Sequence, residues 1–222
     1  MRIIFMALLV VTIQSISATE AVKLRIIHAD PMTTQIAVIV DGTQLSKTLK
    51  QRQSDTLELP ATQHMLGAVN AQTSDTIITT QALDAQTGYC YSVVITREST
   101  APQSLAKTVI VPMECKPPEA GKANATFILA SPTIDKVDVY AGWFKIISNL
   151  KKGTYEGPKT VAAGNYSVVA KDCDKSVLGP IELSPIAGHT YTIVAFDNPN
   201  AADGEQLTHR VYDDDFTTTT TK

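Results

Sequence analysis

Gly188-His189-Thr190-Tyr191-Thr192-Ile193-Val194 repeats, one hundred residues later, Gly88-Tyr89-Cys90-Tyr91-Ser92-Val93-Val94. Each string puts a glycine turn before aromatic and β-branched residues, the composition of a strand with one buried face. Two further matches keep nearly the same offset. His28-Ala29-Asp30-Pro31 resembles Leu129-Ala130-Ser131-Pro132, and Val40-Asp41-Gly42 resembles Tyr140-Ala141-Gly142. Three matches in one order and register point to a duplicated unit. The expected division is a first β-sandwich domain at 22–114, a linker at 115–121 stiffened by Pro117 and Pro118, and a second at 122–213.

Working outward, both units read as strands. Val22, Leu24 and Ile26 alternate with Lys23 and Arg25, and Ala125, Phe127 and Leu129 stand at the matching places. Gln35 to Asp41 is β-branched and ends in Asp41-Gly42, a hairpin-turn pair. Turn residues recur roughly every 8–12 positions, and no stretch has a capped helical period. The fold class is therefore all-β: two tandem antiparallel Ig-like β-sandwiches, with a barrel as the alternative that strand number leaves open. Each unit should carry its own core and fold by itself.

The composition fits a globular chain. Of 222 residues, 44% are hydrophobic and 18% charged, and the 19 basic and 22 acidic residues leave a net charge of −3. That balance argues against a nucleic-acid partner. Arg2, the apolar run Ile3–Ile13 and the small-residue exit Gln14–Ala18 read as a cleaved signal peptide over 1–18, so the expected location is extracellular. No second long apolar run follows, and the threonine-rich 214–222 reads as a disordered tail.

An oxidising compartment lets cysteines pair. Cys90 lies early in a strand, and Cys115 lies just past the residues of the return strand that would face it. The favoured disulfide is Cys90–Cys115, contributing about 3–4 kcal/mol by loop entropy. The rival is Cys115–Cys173. In the first case Cys173, at a turn between Asp172 and Asp174, is free or joins two chains as a disulfide dimer. Asn124-Ala125-Thr126 and Asn165-Tyr166-Ser167 are N-glycosylation sequons, both expected at exposed positions.

The strings Ala130-Ser131-Pro132, Val137-Asp138-Val139-Tyr140, Ala163-Gly164-Asn165-Tyr166 and Ala187-Gly188-His189-Thr190-Tyr191-Thr192 follow one another in a familiar order. They resemble the secreted β-sandwich family named domain of unknown function 4397. The first unit matches at His28–Pro31, Val40–Gly42 and Gly88–Tyr91, but Pro60-Ala61-Thr62-Gln63-His64 lacks the A-G-x-Y string. The resemblance implies tandem extracellular sandwiches and no activity.

No catalytic motif is present: no Gly-x-Ser-x-Gly, His-Glu-x-x-His, phosphate loop or Cys-x-x-Cys. No cofactor or metal is implied. His28 reads as a hydrogen-bonded histidine at the core rim, not a ligand. Asp213-Asp214-Asp215 reads as a solvated charge run. Tyr140, Trp143 and Phe144 surround the Gly142 turn. They are either packed between sheets or exposed to stack on a sugar or a protein. The leading expectation is a non-enzymatic binding or adhesion protein with an extracellular protein or glycan partner. A disulfide-linked matrix or coat component comes second, and a hydrolase with acids drawn from distant loops last.

Overall fold

The computed structural model describes residues 20–101, 104–199 and 206–214; the segments 1–18 and 215–222 lie outside the described residues. The first eight strands are β1 (Ala21–His28), β2 (Gln35–Val40), β3 (Thr43–Lys50), β4 (Ser54–Pro60), β5 (Gln63–Asn70), β6 (Thr76–Asp84), β7 (Tyr89–Arg97) and β8 (Ala106–Glu114). The next eight are β9 (Lys122–Ala130), β10 (Lys136–Ala141), β11 (Phe144–Lys151), β12 (Thr154–Ala162), β13 (Tyr166–Asp172), β14 (Lys175–Leu183), β15 (Thr190–Asp197) and β16 (Leu207–Asp213). They form four sheets, ordered β4-β1-β7-β8, β3-β2-β5-β6, β12-β9-β15-β16 and β11-β10-β13-β14. No helix occurs among the described residues.

The first two sheets enclose one core, including Leu24, Ile26, Ile36, Leu49, Val93 and Ile95. The last two enclose another, including Phe127, Leu129, Val139, Ile147 and Ile193. Period two explains both, since alternate residues of each strand point to the same face. Most pairings are antiparallel. In each sandwich, however, the first strand also pairs in parallel with the seventh: β1 with β7, and β9 with β15. A parallel partner requires a long crossover, which the other sheet supplies.

The repeat register is finer than the sequence suggested. The β2–β3 turn is Asp41-Gly42, with Val40 opposite Thr43. The β10–β11 turn is Gly142-Trp143, with Ala141 opposite Phe144. The offset at this hairpin is therefore 101, so Gly42 corresponds to Trp143 and Thr43 to Phe144. Asp41 and Gly42 both have positive φ (51° and 77°), the demand of a type I′ turn, whereas at the second hairpin the positive φ falls on Gly142 (57°).

A third core changes the picture of two independent halves. Ile27, Val94, Val109, Val111 and Met113, on the outer face of β4-β1-β7-β8, pack with Ile128, Ala130, Val194, Phe196 and Tyr212 on the outer face of β12-β9-β15-β16. The chain is thus a stack of four sheets with apolar contact at all three junctions. Each large aliphatic side chain in this seam contributes about 1.5–3 kcal/mol. Polar contacts border it. Arg52 donates to the Asp197 carbonyl at 3.1 Å, while Tyr212 and Arg210 donate to the Arg52 carbonyl at 3.0 and 2.9 Å.

Asp214 belongs to this seam and not to a solvated run. Its buried carboxylate accepts from Arg25 and from the Thr192 hydroxyl, and Arg25 also donates to the Asp213 carbonyl at 2.7 Å. Burial lowers the Arg25 pKa against the pull of Tyr212 and Asp213, and pushes the Tyr212 hydroxyl up to about 12. Val94→Asp, which places an unpaired charge in the seam, should lower the unfolding free energy by about 3–5 kcal/mol in a denaturant titration. Fragments 22–114 and 122–214, mixed, should form a 1:1 complex that melts above either alone. Fragments that each melt at the temperature of the intact chain would show that the seam adds nothing.

Candidate binding site

Trp143 and Phe144 are the most exposed large apolar side chains among the described residues, at 97% and 78%. They do not fill the core, because Trp143 lies in the two-residue turn and Phe144 in the pair that ends the ladder, opposite Ala141. The equivalent residues of the first sandwich are Gly42 and Thr43, so the hairpin itself has no need of aromatics. Tyr140 is half-buried on the outer face of its sheet, with the Lys171 and Lys145 ammonium groups 4.8 and 5.5 Å from its ring centre. Lys145 also donates to Asp138 at 2.6 Å. The result is a hairpin whose tip is aromatic and whose flank is cationic and aromatic.

The repeated motifs turn out to hold loops. Asp30 accepts from the Met32 amide (3.0 Å) and the Thr33 hydroxyl (2.8 Å), and takes a bidentate pair from Arg97 at the end of β7 (2.9 and 2.8 Å). Ser131 takes the place of Asp30: its hydroxyl accepts from the Ile134 amide and donates to Asp197 at the end of β15. The partners have exchanged chemistry while the tie between loop and strand end remains. Tyr91 and Tyr191 likewise accept the amides of Gln86 and Ile186 at 2.9 and 3.1 Å.

His28 is fully buried, not at the rim. Its Nε2 donates to the Thr33 carbonyl at 2.8 Å, and burial lowers its pKa. His64, equivalent to Tyr166, locks the corresponding hairpin of the first sandwich. Its Nδ1 donates to Asp41 at 2.6 Å and its Nε2 to the Pro60 carbonyl at 2.8 Å, while Asp41 also accepts the Met65 amide. Burial lowers the His64 pKa, but the two acceptors outweigh it and the net shift is upward. No cluster of three or more His, Cys, Asp or Glu among the described residues could hold a metal.

Cys90 and Cys115 form the disulfide, because Cys90 faces Met113 in the β7–β8 ladder and Cys115 follows two residues on. Cys173 is free and exposed in a turn where it and Asp174 both have positive φ (45° and 69°). Asp172 raises its pKa by hydrogen bond and charge, with smaller help from Asp174. Asn165 is exposed and accepts from Ser184, whereas Asn124 is half-buried and accepts from Thr160. Sequence reading missed Arg25, Arg52 and the seam, although the unbroken runs Ile26-Ile27, Val93-Val94 and Phe127-Ile128-Leu129 carry the signal of strands buried on both faces.

A family model for a domain of unknown function, DUF4397, matches residues 22–140 and 123–222. The chain belongs to the DUF4397 family. No curated protein matches it. A solved structure, "The Bacillus anthracis TIE protein", matches at 10% identity over 79% of this chain and 34% of that one, with a TM-score of 0.27. The chain spans about a third of that structure's length. Both DUF4397 repeats share the loop ties described above, while the aromatic tip occurs in the second alone.

The His64 lock has a pH signature. A raised folded pKa means that its stabilising contribution is complete below the unfolded value, about 6.5, and is lost as pH rises through the folded value. The stability gap between the native chain and His64→Gln should therefore shrink as pH rises above about 6.5 in thermal melts. A gap that widened with pH would refute the imidazolium assignment.

Proposed function

We propose that the chain is an extracellular, non-enzymatic binding protein whose contact element is the β10–β11 hairpin. One observation carries the reading: Trp143 and Phe144 project into solvent from a rigid two-residue turn where the sister repeat has glycine and threonine. Aromatic side chains that stay exposed on a rigid scaffold supply apolar contact area at low entropic cost, and they stack on sugar faces or anchor protein contacts. The Cys90–Cys115 disulfide supports an oxidising location, in keeping with the signal-like segment 1–18. A glycan array and an extracellular-protein screen should return partners. Trp143→Ala with Phe144→Ala should weaken them at least tenfold without moving the melting temperature, since neither side chain packs in a core. Partners retained at full strength by that double variant would locate the contact elsewhere.

A second reading, a disulfide-linked coat component, is favoured by one observation, the exposed free thiol of Cys173. The acidic neighbours hold that thiol in its protonated form and slow its attack. Non-reducing electrophoresis decides between the readings: a reducible dimer lost in Cys173→Ser favours the coat. Asp172→Asn should raise the rate of thiol labelling at neutral pH, and an unchanged rate would remove the electrostatic argument.

A further inference from the structure

The two sandwiches of this chain are an internal control on each other, because their ladders align residue by residue. Leu24 pairs with Leu57 and Tyr91, and Ala125 with Lys159 and Tyr191. Val40 pairs with Thr43 and Leu66, and Ala141 with Phe144 and Val168. Leu24, Val40 and Leu66 of the first unit are thus Ala125, Ala141 and Val168 in the second. The first three are buried in the core of the first sandwich, whose own groove of about 390 Å³ is lined instead by Leu83, Tyr91 and Ile110. The smaller three line a cavity of about 270 Å³ between the two sheets of the second sandwich.

The cavity opens at the end of the sandwich. Ala141 and Ile146 line it from the β10–β11 hairpin, and Pro185 from the loop after β14. In the first sandwich the same end is held by the His64–Asp41 lock. Here Tyr166 and Gly142 occupy those positions, and no such tie can form between them. Phe144 stands directly across the ladder from Ala141, in its last pair, so it shares the cavity-facing side of the sheet. A second void of about 20 Å³ shares Phe127, Val168 and Ile193 with the first and lies deeper in the core.

Its lining is almost wholly apolar, and its polar groups are engaged. Tyr166 donates to the Ala162 carbonyl at 3.0 Å, Tyr191 accepts the Ile186 amide, and Ser184 donates to Asn165 at 2.8 Å. Among the described residues that line it, only Glu182 carries a charge. Water gains little from such walls. A ligand recognised by hydrogen bonds would find few partners. A hydrocarbon chain finds a pre-formed apolar site. The Glu182 side chain lies on the outer face of its sheet, between the inward-facing Ile181 and Leu183, and the described lining residues offer no cation to an anionic head group.

We propose that the open end of the second sandwich binds the hydrocarbon chain of a neutral amphiphile, of the fatty-alcohol kind. This site is separate from the aromatic tip, and either can fail without the other. The test titrates N-phenyl-1-naphthylamine, a neutral apolar fluorophore, into the full chain. Trp143 is the sole tryptophan and lies two residues along the chain from Ala141, which lines the cavity, so it serves as the energy-transfer donor. Saturable single-site binding is expected. 1-Dodecanol should displace the probe at least tenfold more effectively than dodecanoate.

Refilling the cavity with the first unit's residues, Ala125→Leu with Ala141→Val, should weaken probe binding at least tenfold while leaving the melting temperature unchanged or higher. Trp143→Ala with Phe144→Ala, read by direct excitation of the probe, should keep binding within about threefold. Absence of saturable binding, or equal binding by the refilled variant, would overturn the proposal. Co-sedimentation of the chain with phosphatidylcholine vesicles, lost in the refilled variant, would replace the single-chain ligand by a bilayer and overturn it as well.

Discussion

The seam between β4-β1-β7-β8 and β12-β9-β15-β16 is the constraint on which the rest depends. Two small sandwiches each present one sheet with apolar side chains on both faces, and such a sheet cannot stand in water. Ile27 and Val94 from one side and Ile128 and Val194 from the other remove that surface together. Once the two sheets are in contact, the connector at 115–121 has only to join strand ends already side by side. The usual expectation of mobile tandem domains gives way when the junction is large and apolar.

The polar border of the seam fixes its register. Arg25 on β1 reaches the carboxylate of Asp214 and the carbonyl of Asp213, drawing the end of the last strand onto the first sandwich. A buried ion pair adds little net stability, but losing one partner leaves the other charge stranded, at a cost of about 3–5 kcal/mol. That asymmetry disfavours any slipped packing of the two sheets in which Arg25 would miss Asp214. Arg52 contributes from its backbone, whose carbonyl receives both Tyr212 and Arg210.

Fold class was legible because strand periodicity and turn residues are local properties. Asp41-Gly42, the alternation through Val22–Ile26 and the Gly88 and Gly188 strings needed no knowledge of the far half of the chain. The Cys90–Cys115 bridge was legible for the same reason, since one hairpin brings both together. The seam was not, although its signature lay in the doubled apolar residues of β1, β7 and β9. Alternation was read on one face, and the residues between, such as Ile27 and Val94, were left unassigned. Asp214 was misread for a related reason: an acidic run looks solvated until a distant Arg25 meets it. At the hairpin, the aromatic strings allowed either core packing or exposure, and the one-residue shift in register decided for exposure.

Duplication explains why the second sandwich carries both unusual features at one end. The first unit holds this end with larger buried side chains, Leu24 and Val40, and with the His64–Asp41 lock. In a chain held by a shared seam, the stability of one half supports the other, because neither can unfold without exposing the common face. The second unit can therefore lose side-chain volume at Ala125 and Ala141 and carry Trp143 in solvent. Its distance from the seam matters as well. The cavity lies between β11-β10-β13-β14 and the inner face of β12-β9-β15-β16, while the seam uses the outer face of the latter. One sheet thus separates the variable end from the junction, so changes there need not disturb the packing that holds the chain together.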